Sequence, residues 1–240
     1  MNRSGNTIQI LFLGRTEYRS CWTLQQRLLE LRSAGRIPDT LLLTEHDHVY
    51  TIGKTGDDNH LLADAAELAS RGVTVVHTDR GGDITYHGPG QVVAYPILDL
   101  RNYYCDLHRY LRDLEEVVIR TLAVVGVVGG RLDGYTGVWV GNEKICAIGV
   151  KSSRWVTMHG LALNVATDLS FFERIIPCGI FERGVTSMEA LLADKVSPVD
   201  VAPLLVNQFG EVFHARPVVG DPLTYAGVGE LPTGTVFQHS

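Results

Sequence analysis

Much that would tie a chain to a metal, a membrane or a nucleic acid is missing from this sequence. Its four cysteines, at 21, 105, 146 and 178, form no C-x-x-C pair, so the thiolate half of a typical structural zinc site is absent. Unclustered thiols fit a reducing compartment. Basic residues are in deficit, 21 against 27 acidic ones, for a formal net charge of −6. A general nucleic-acid binder gains affinity by releasing counterions from a basic face, and this chain has no such excess. The longest apolar run, Thr121 to Gly130, falls short of the ~20 residues that cross a bilayer. The opening Met1-Asn2-Arg3-Ser4-Gly5 lacks the apolar core of a signal peptide. The expectation is a cytoplasmic protein without membrane or nucleic-acid partners.

The 240 residues are 45% apolar and 20% charged, the composition of a folded globular chain. A chain of this length buries about 70% of its unfolded surface and needs neither disulfide nor metal to fold. Glycine is frequent, at 25 residues, which points to tight turns or close backbone approaches.

Alternation predicts strands at Thr7–Leu13, Thr40–Glu45, Val49–Ile52, Val73–His77, Gln91–Leu98 and His159–Val165. Pro96 marks Gln91–Leu98 as an edge or its end. Helices are expected from a Thr16 cap to Ala34, over Leu61–Ser70 and over Val199–Phe213, with short ones near Leu169 and Ser187. The clearest helix is Asp106–Val125, where Leu107, Tyr110, Leu111, Leu114, Val117, Val118, Leu122 and Val125 repeat on one face. Gly141-Asn142-Glu143 reads as a hairpin between Gly137–Val140 and Lys144–Lys151. Hairpins and helices mix without a regular βαβ rhythm. The expected class is α/β or α+β, a mixed and largely antiparallel sheet with flanking helices. One domain is expected over residues 1–215, followed by a loosely packed Pro/Gly-rich tail at 216–240. An acidic surface without a long apolar stripe favours a monomer.

Gly53-Lys54-Thr55 resembles the end of a P-loop, but its first glycine is replaced by His48, so a nucleotide cradle is not expected. Glu45-His46-Asp47-His48 offers metal-ligand types in a turn with no second cluster, and a solvated loop is the better reading. No metal is expected. The segment Arg80-Gly81-Gly82-Asp83-Ile84-Thr85-Tyr86-His87-Gly88-Pro89-Gly90 combines bare backbone amides with a cationic fork and an imidazole. By pattern alone it is equally a structural turn or a binding loop. Lys144 opens an apolar strand in which 144, 146 and 148 share a face by the period of two. It is either partly buried in a site or exposed at a hairpin end. Cys178, between Pro177 and Gly179, sits on a sharp turn suited to presenting a nucleophile. Cys146 is its rival near Lys144, although a mid-strand cysteine usually acts as a small inert hydrophobe.

Four pieces occur in order: Arg-Gly-Gly-x-x-Thr-x-His-Gly-Pro-Gly-Gln at 80–91, Lys144 with Ala147-Ile148-Gly149, His159-Gly160-Leu161-Ala162-Leu163-Asn164, and Pro177-Cys178-Gly179. Together they resemble the lipoyl(octanoyl) transferases, the octanoyltransferases of lipoate biosynthesis. Glu45-His46 and Val49-Tyr50-Thr51-x-Gly53 match the family's early segment. The resemblance covers about residues 10–190.

It implies a fold similar to the catalytic domains of biotin and lipoate protein ligases. It also implies transfer of an octanoyl group from acyl carrier protein to a lysine of a lipoyl domain, through a cysteine thioester and without a cofactor. The expected acceptors are the lipoyl domains of 2-oxoacid dehydrogenase complexes and the glycine cleavage H protein. Cys178 would carry the acyl group and Lys144 would assist it. Arg80, Gly81, Gly82, Asp83, Ile84, Thr85, Tyr86, His87, Ala147, Ile148, Gly149, Gly160, Leu161 and Ala162 would bind substrate. Three other readings remain open: an ATP-dependent lipoate or biotin ligase of the same fold, a non-catalytic module that holds an acyl chain or a lipoylated partner, and a Cys-His hydrolase with His159 as base.

Overall fold

The computed structural model describes residues 6–176, 183–192 and 194–220. In chain order its elements are β1 (Asn6–Thr16), α1 (Tyr18–Ser33), β2 (Asp39–His46), β3 (Val49–Ile52), α2 (Ala65–Ser70), β4 (Thr74–His77), β5 (Ile84–His87), β6 (Gln91–Ile97), α3 (Leu107–Val124), β7 (Gly130–Leu132), β8 (Tyr135–Val140), β9 (Glu143–Ser153), β10 (Val156–Asn164), α4 (Met188–Leu191), α5 (Pro198–Phe213) and β11 (Ala215–Val219). Eight strands form one sheet in the order β11-β1-β2-β6-β10-β9-β8-β7. β1 runs parallel to both β11 and β2, and the pairs from β2 to β7 are antiparallel. A second sheet has the order β4-β3-β5. The mixed, largely antiparallel architecture expected from the pattern is the one observed.

Alternation sorts the large sheet's side chains onto two faces. Leu41, Leu43, Val92, Ala94, Leu161 and Leu163 enter a core with α3 and α5, whose Tyr110, Leu114, Val118, Leu205 and Phe209 cover them. Leu42, Val93, Tyr95 and Ala162 face the other way, against Cys21, Leu24 and Leu28 of α1. Strand β2 is buried along its whole length, as a central strand covered by helices on both faces must be. Among the described residues, no helix is long and apolar enough to cross a membrane.

Three local expectations are corrected. The cap of α1 is Glu17, whose carboxylate accepts from the amides of Arg19 and Ser20, while Thr16 is buried against Thr44 and His46. Of the two readings of Pro96, the strand's end holds, since β6 closes at Ile97, and the edge does not, since β6 lies between β2 and β10. The β10 ladder stops at Ala94 and the Pro96 carbonyl accepts from the Thr157 hydroxyl, so the missing N–H breaks no ladder bond. The segment from 216 does not begin as a loose tail. Ala215–Val219 is a strand added parallel to β1 from Asn6↔Ala215 to Ile10↔Val219, because β1 needs a partner for its outer edge. Residues 221–240 lie outside the described residues.

Candidate active site

A cavity of about 450 Å³ lies between the Arg80–Thr85 loop and the β9–β10 ladder. Arg80, Gly81, Gly82, Asp83, Ile84, Thr85, His87, Lys144, Ala147, Ile148, Gly149, Gly160, Leu161 and Ala162 all line it. The structure thus brings three of the four sequence motifs to one wall. Cys178, in the fourth, lies outside the described residues. Tyr86 alone of the expected binding residues turns away. Its ring stacks on Phe171 at 4.7 Å and its hydroxyl meets His48 Nδ1 at 2.7 Å.

The floor is made of small residues facing each other across the ladder, Ala147 opposite Ala162 and Gly149 opposite Gly160. Past Cys146 the β8 ladder ends, and the loop docks there: the Gly81 amide donates to the Val150 carbonyl at 2.9 Å. A Cβ on Gly149 would lie 2.7 Å from the Gly81 carbonyl oxygen, so glycine is what lets the loop come this close. Arg80 is buried, with Nη2 donating to the Thr51 carbonyl at 2.5 Å and to its hydroxyl at 2.9 Å. Asp83 accepts from the Ile84 amide at 2.7 Å and pairs with His60 at 2.6 Å. These two side chains shape the loop from within.

Lys144 reaches the cavity through an irregularity in the sheet. Trp139 of β8 lies opposite Lys144, whereas the adjacent Val138 lies opposite Cys146. Two residues of β9 are spanned by one step of β8, a bulge at Ile145. Neighbours on β8 point to opposite faces, so Lys144 and Cys146 do as well. This overturns the expectation that 144, 146 and 148 share a face. Cys146 is buried in the α3 core with Val138 and Leu163, and burial pushes its thiol well above the ordinary range. It is not a rival nucleophile. Lys144 Nζ lies 4.8 Å from the centre of the Trp139 ring, and the aliphatic stem passes Gly137. The Gly137 amide donates to the fully buried Glu115, which also pairs with Arg112 and Arg131.

The chain beyond Cys178 returns beside Lys144. The Lys144 amide donates to the Gly184 carbonyl and the Lys144 carbonyl accepts from the Thr186 amide, both at 3.0 Å, in a parallel bridge to Val185. A second cavity has Ile176 and Arg183 on its wall and shares Phe172 and Val185 with the first. Ile176 and Arg183, the described residues on either side of 177–182, thus stand on the wall of this neighbouring cavity.

Several site residues escaped the sequence reading. Gln91 Nε2 donates to Asn164 Oδ1 at 2.9 Å, and Asn164 Nδ2 donates to the Thr186 carbonyl at 3.0 Å. Gln91 Oε1 meets His87 Nδ1 at 3.3 Å. This chain of polar groups links the loop to the backbone of Lys144. Gln91 and Asn164 close two of the quoted motifs, so their positions carried a signal. Tyr18 stacks on His87 at 5.8 Å and lines the cavity with Tyr95, and neither stands in a motif. Burial holds His87 well below the ordinary imidazole value. His46, joined to the Tyr95 hydroxyl at 2.7 Å, is pushed down to about 4 by burial. Both rings are neutral at pH 7 and act as hydrogen-bonding groups.

The Glu45–His48 run is occupied otherwise: Glu45 Oε2 accepts from the Gly90 amide at 2.7 Å, Asp47 pairs with Arg15 at 2.8 Å, and His46 and His48 hold tyrosines. Among the described residues, no group of three such side chains is placed to hold a metal. His159, the candidate hydrolase base, lies opposite Val150. That is six residues along β9 from Lys144, about 20 Å at ~3.3 Å per residue.

Residues 17–210 match the family described as the lipoyl protein ligase A/B catalytic domain. The chain is 54% identical over 211 residues to an octanoyltransferase of Rubrobacter xylanophilus, covering 87% of this chain and 92% of that one. It is 52% identical over 215 residues to an octanoyltransferase of Chloroflexus aggregans, covering 88% and 97%. Among solved structures, lipoate-protein ligase A bound with ATP superposes with a TM-score of 0.76 at 19% identity, over 92% of each chain. At that identity the likeness is one of fold.

Proposed function

The chain belongs to the lipoyl protein ligase A/B catalytic family and, within it, to the octanoyltransferases, and we propose that it moves an octanoyl group onto a lysine of a lipoyl domain in lipoate biosynthesis. The donor in this reading is octanoyl-acyl carrier protein, and the acceptors are the lipoyl domains of 2-oxoacid dehydrogenase complexes and the glycine cleavage H protein. The acyl group enters as a thioester, so no cofactor is needed. The reaction runs in the cytoplasm, on a monomer.

Cys178 is the nucleophile and Lys144 its proton partner. The Lys144 amine takes the proton of the Cys178 thiol, which at an ordinary pKa of about 8.5 is mostly protonated at neutral pH. The thiolate attacks the donor carbonyl and the bond to the carrier's sulfur breaks. The carrier thiolate then takes the proton from Lys144. This exchange of one thioester for another is close to neutral in free energy. Lys144 then accepts the proton of the incoming lysine amine as the C–N bond forms and the Cys178 sulfur leaves. The amide is far more stable than the thioester, and this drives the second half.

The chain of the acyl group fits the floor of Ala147, Gly149, Gly160 and Ala162. Burying about six methylenes at ~0.8 kcal/mol each supplies up to ~5 kcal/mol of binding.

The observation that carries the reading is the bulge at Ile145, which turns Lys144 into the cavity beside Gly184–Thr186. The test is intact-mass spectrometry after incubation with octanoyl-acyl carrier protein. Wild type gains one octanoyl group and Cys178→Ala gains none. An adduct that persists in Cys178→Ala refutes the assignment of the nucleophile, and ATP–pyrophosphate exchange stimulated by lipoate would identify a ligase instead.

A further inference from the structure

The register of β10 sets His159 on the same parity as Leu161 and Leu163, whose side chains enter the α3 core. Its ring is found on the opposite side. It lies 6.3 Å from the Trp22 ring of α1, and its amide donates to Gln25 Oε1 at 2.9 Å. Alternation breaks at His159 itself, whose φ is +58. A left-handed backbone is uncommon for a residue other than glycine and persists only where the surroundings impose it.

The rotated ring does one visible thing. His159 Nε2 lies 2.7 Å from Asp79 Oδ1, and the other carboxylate oxygen takes Lys151 Nζ at 2.5 Å. The ring is 1% exposed, and burial holds it below the ordinary imidazole value. A neutral ring facing a carboxylate must carry its hydrogen on Nε2 to donate it. Asp79 directly precedes Arg80 and Gly81, the residues that cross the cavity. Side chains of β9 and β10, the floor strands, thus grip the base of the loop that forms the roof.

We propose that His159 is a positioning residue for acyl transfer, which holds Asp79 and through it sets the height of the Arg80–Gly82 roof above the acyl slot. The inference rests on the acyl-transfer reading above. It assigns His159 no contact with the reacting atoms, from which the strand rise separates it. It predicts an effect on grip and none on chemistry.

Two variants separate the backbone from the ring. His159→Gly accepts the left-handed conformation freely and removes the donor. His159→Asn tolerates that conformation and keeps an N–H. In His159→Gly, KM for octanoyl-acyl carrier protein rises about tenfold, the size expected for one lost hydrogen bond to a charged group. Its kcat stays within about twofold, the split expected when uniform binding is lost. The rise shrinks for a butyryl donor, whose chain reaches less of the slot, and His159→Asn recovers most of it.

Hydrogen exchange at the Gly81 amide, bonded to Val150, speeds up in His159→Gly and not in His159→Asn. Asp79→Asn, which leaves the β10 backbone untouched, repeats the kinetic pattern if His159→Gly folds poorly. An unchanged KM, a fall in kcat at constant KM, or equal losses for butyryl and octanoyl donors overturns the proposal. Wild-type protein without octanoyl transfer defeats the underlying reading instead, and Gly81 exchange still tests the clamp.

Discussion

Lys144 and Cys146 stand two residues apart on one strand and point to opposite faces of the sheet, because Ile145 is the extra residue of a bulge against Val138 and Trp139. Without the bulge both would face the same way, and the amine would share the α3 core with the thiol. The separation has a direct consequence. Cys146→Ala should keep transfer activity within about twofold and lower unfolding stability by about 1 kcal/mol, as a small buried truncation does. Native protein should leave Cys146 unlabelled by iodoacetamide, because burial keeps it a thiol. Loss of the octanoyl adduct in Cys146→Ala would place that thiol back in the chemistry.

Gly137 holds φ +124, and a Cβ there would stand 2.6 Å from the Cys146 carbonyl oxygen and 3.5 Å from Lys144 Cε. Alanine at this position must strain its own backbone and push apart the ladder that aims Lys144. We expect Gly137→Ala to lose about 2 kcal/mol of stability and to reduce kcat more than KM. Urea titration and steady-state kinetics on the same preparation check both. A fall in stability with kcat unchanged would mean that the aim of Lys144 does not depend on this contact.

What the sequence made legible follows from what each signal encodes. Periodicity encodes burial, so α3 and the two-faced strands β2 and β6 could be read from it. The loop 80–87 stood out because clustered glycines leave the backbone bare, yet the pattern left it equally a structural turn, and only the folded chain shows every residue of it except Tyr86 on the wall of one cavity. The bulge at Ile145 left no mark, since an extra residue looks like any other apolar residue until its partner strand is known. Pro96 was legible as the end of its strand, but not as lying inside the sheet, because the rule that prolines avoid central strands assumes an unbroken ladder on both sides, and the β10 ladder breaks after Ala94 and resumes only at Asp99↔Val156. Tyr18 and Tyr95 reach the site from α1 and β6 through tertiary packing. Ala215–Val219 looked like a tail because a parallel edge strand draws its stability from β1, far away in sequence.

Glu115 is buried, accepts from the Gly137 amide at 3.1 Å, and pairs with Arg112 at 2.7 Å and Arg131 at 3.0 Å. Both arginines are part-exposed, which weakens each pair. Losing the carboxylate still leaves a buried amide without its acceptor. Glu115→Ala should cost about 3 kcal/mol, and Glu115→Gln, which keeps an acceptor for Gly137, about half of that. Chemical denaturation of both variants distinguishes the hydrogen bond from the charge, and equal losses would show that charge dominates.

His46 and His87 give the fold an acid limit. Both have folded values depressed by burial, His46 to about 4. The unfolded chain takes up protons at the ordinary histidine value near 6.5. Stability is therefore fully present above about pH 6.5 and is lost as pH falls, at up to ~1.4 kcal/mol per pH unit for each histidine. For His46 the loss levels off near pH 4, where the folded state also protonates. Urea midpoints measured from about pH 7.5 to about 4.5 should fall steadily, and His46→Gln should flatten the slope by the share of one proton. A flat profile for wild type would show that these rings are protonated in the folded protein.

Ala147 and Ala162 face each other across β9 and β10 on the floor of the cavity, and their smallness is what leaves room for an acyl chain. Ala162→Leu adds three carbons to that floor. If the octanoyl group lies there, the larger side chain displaces its far end, and about two methylenes lose their burial at ~0.8 kcal/mol each. The expected result is a drop of roughly fifteenfold in kcat/KM for octanoyl donors, with hexanoyl donors affected little and butyryl donors not at all. Specificity would shift toward shorter chains without a change in the maximal rate. A parallel decline for every donor length would mean that the introduced leucine distorts the ladder without filling the slot, and the acyl chain would then have to lie elsewhere in the cavity.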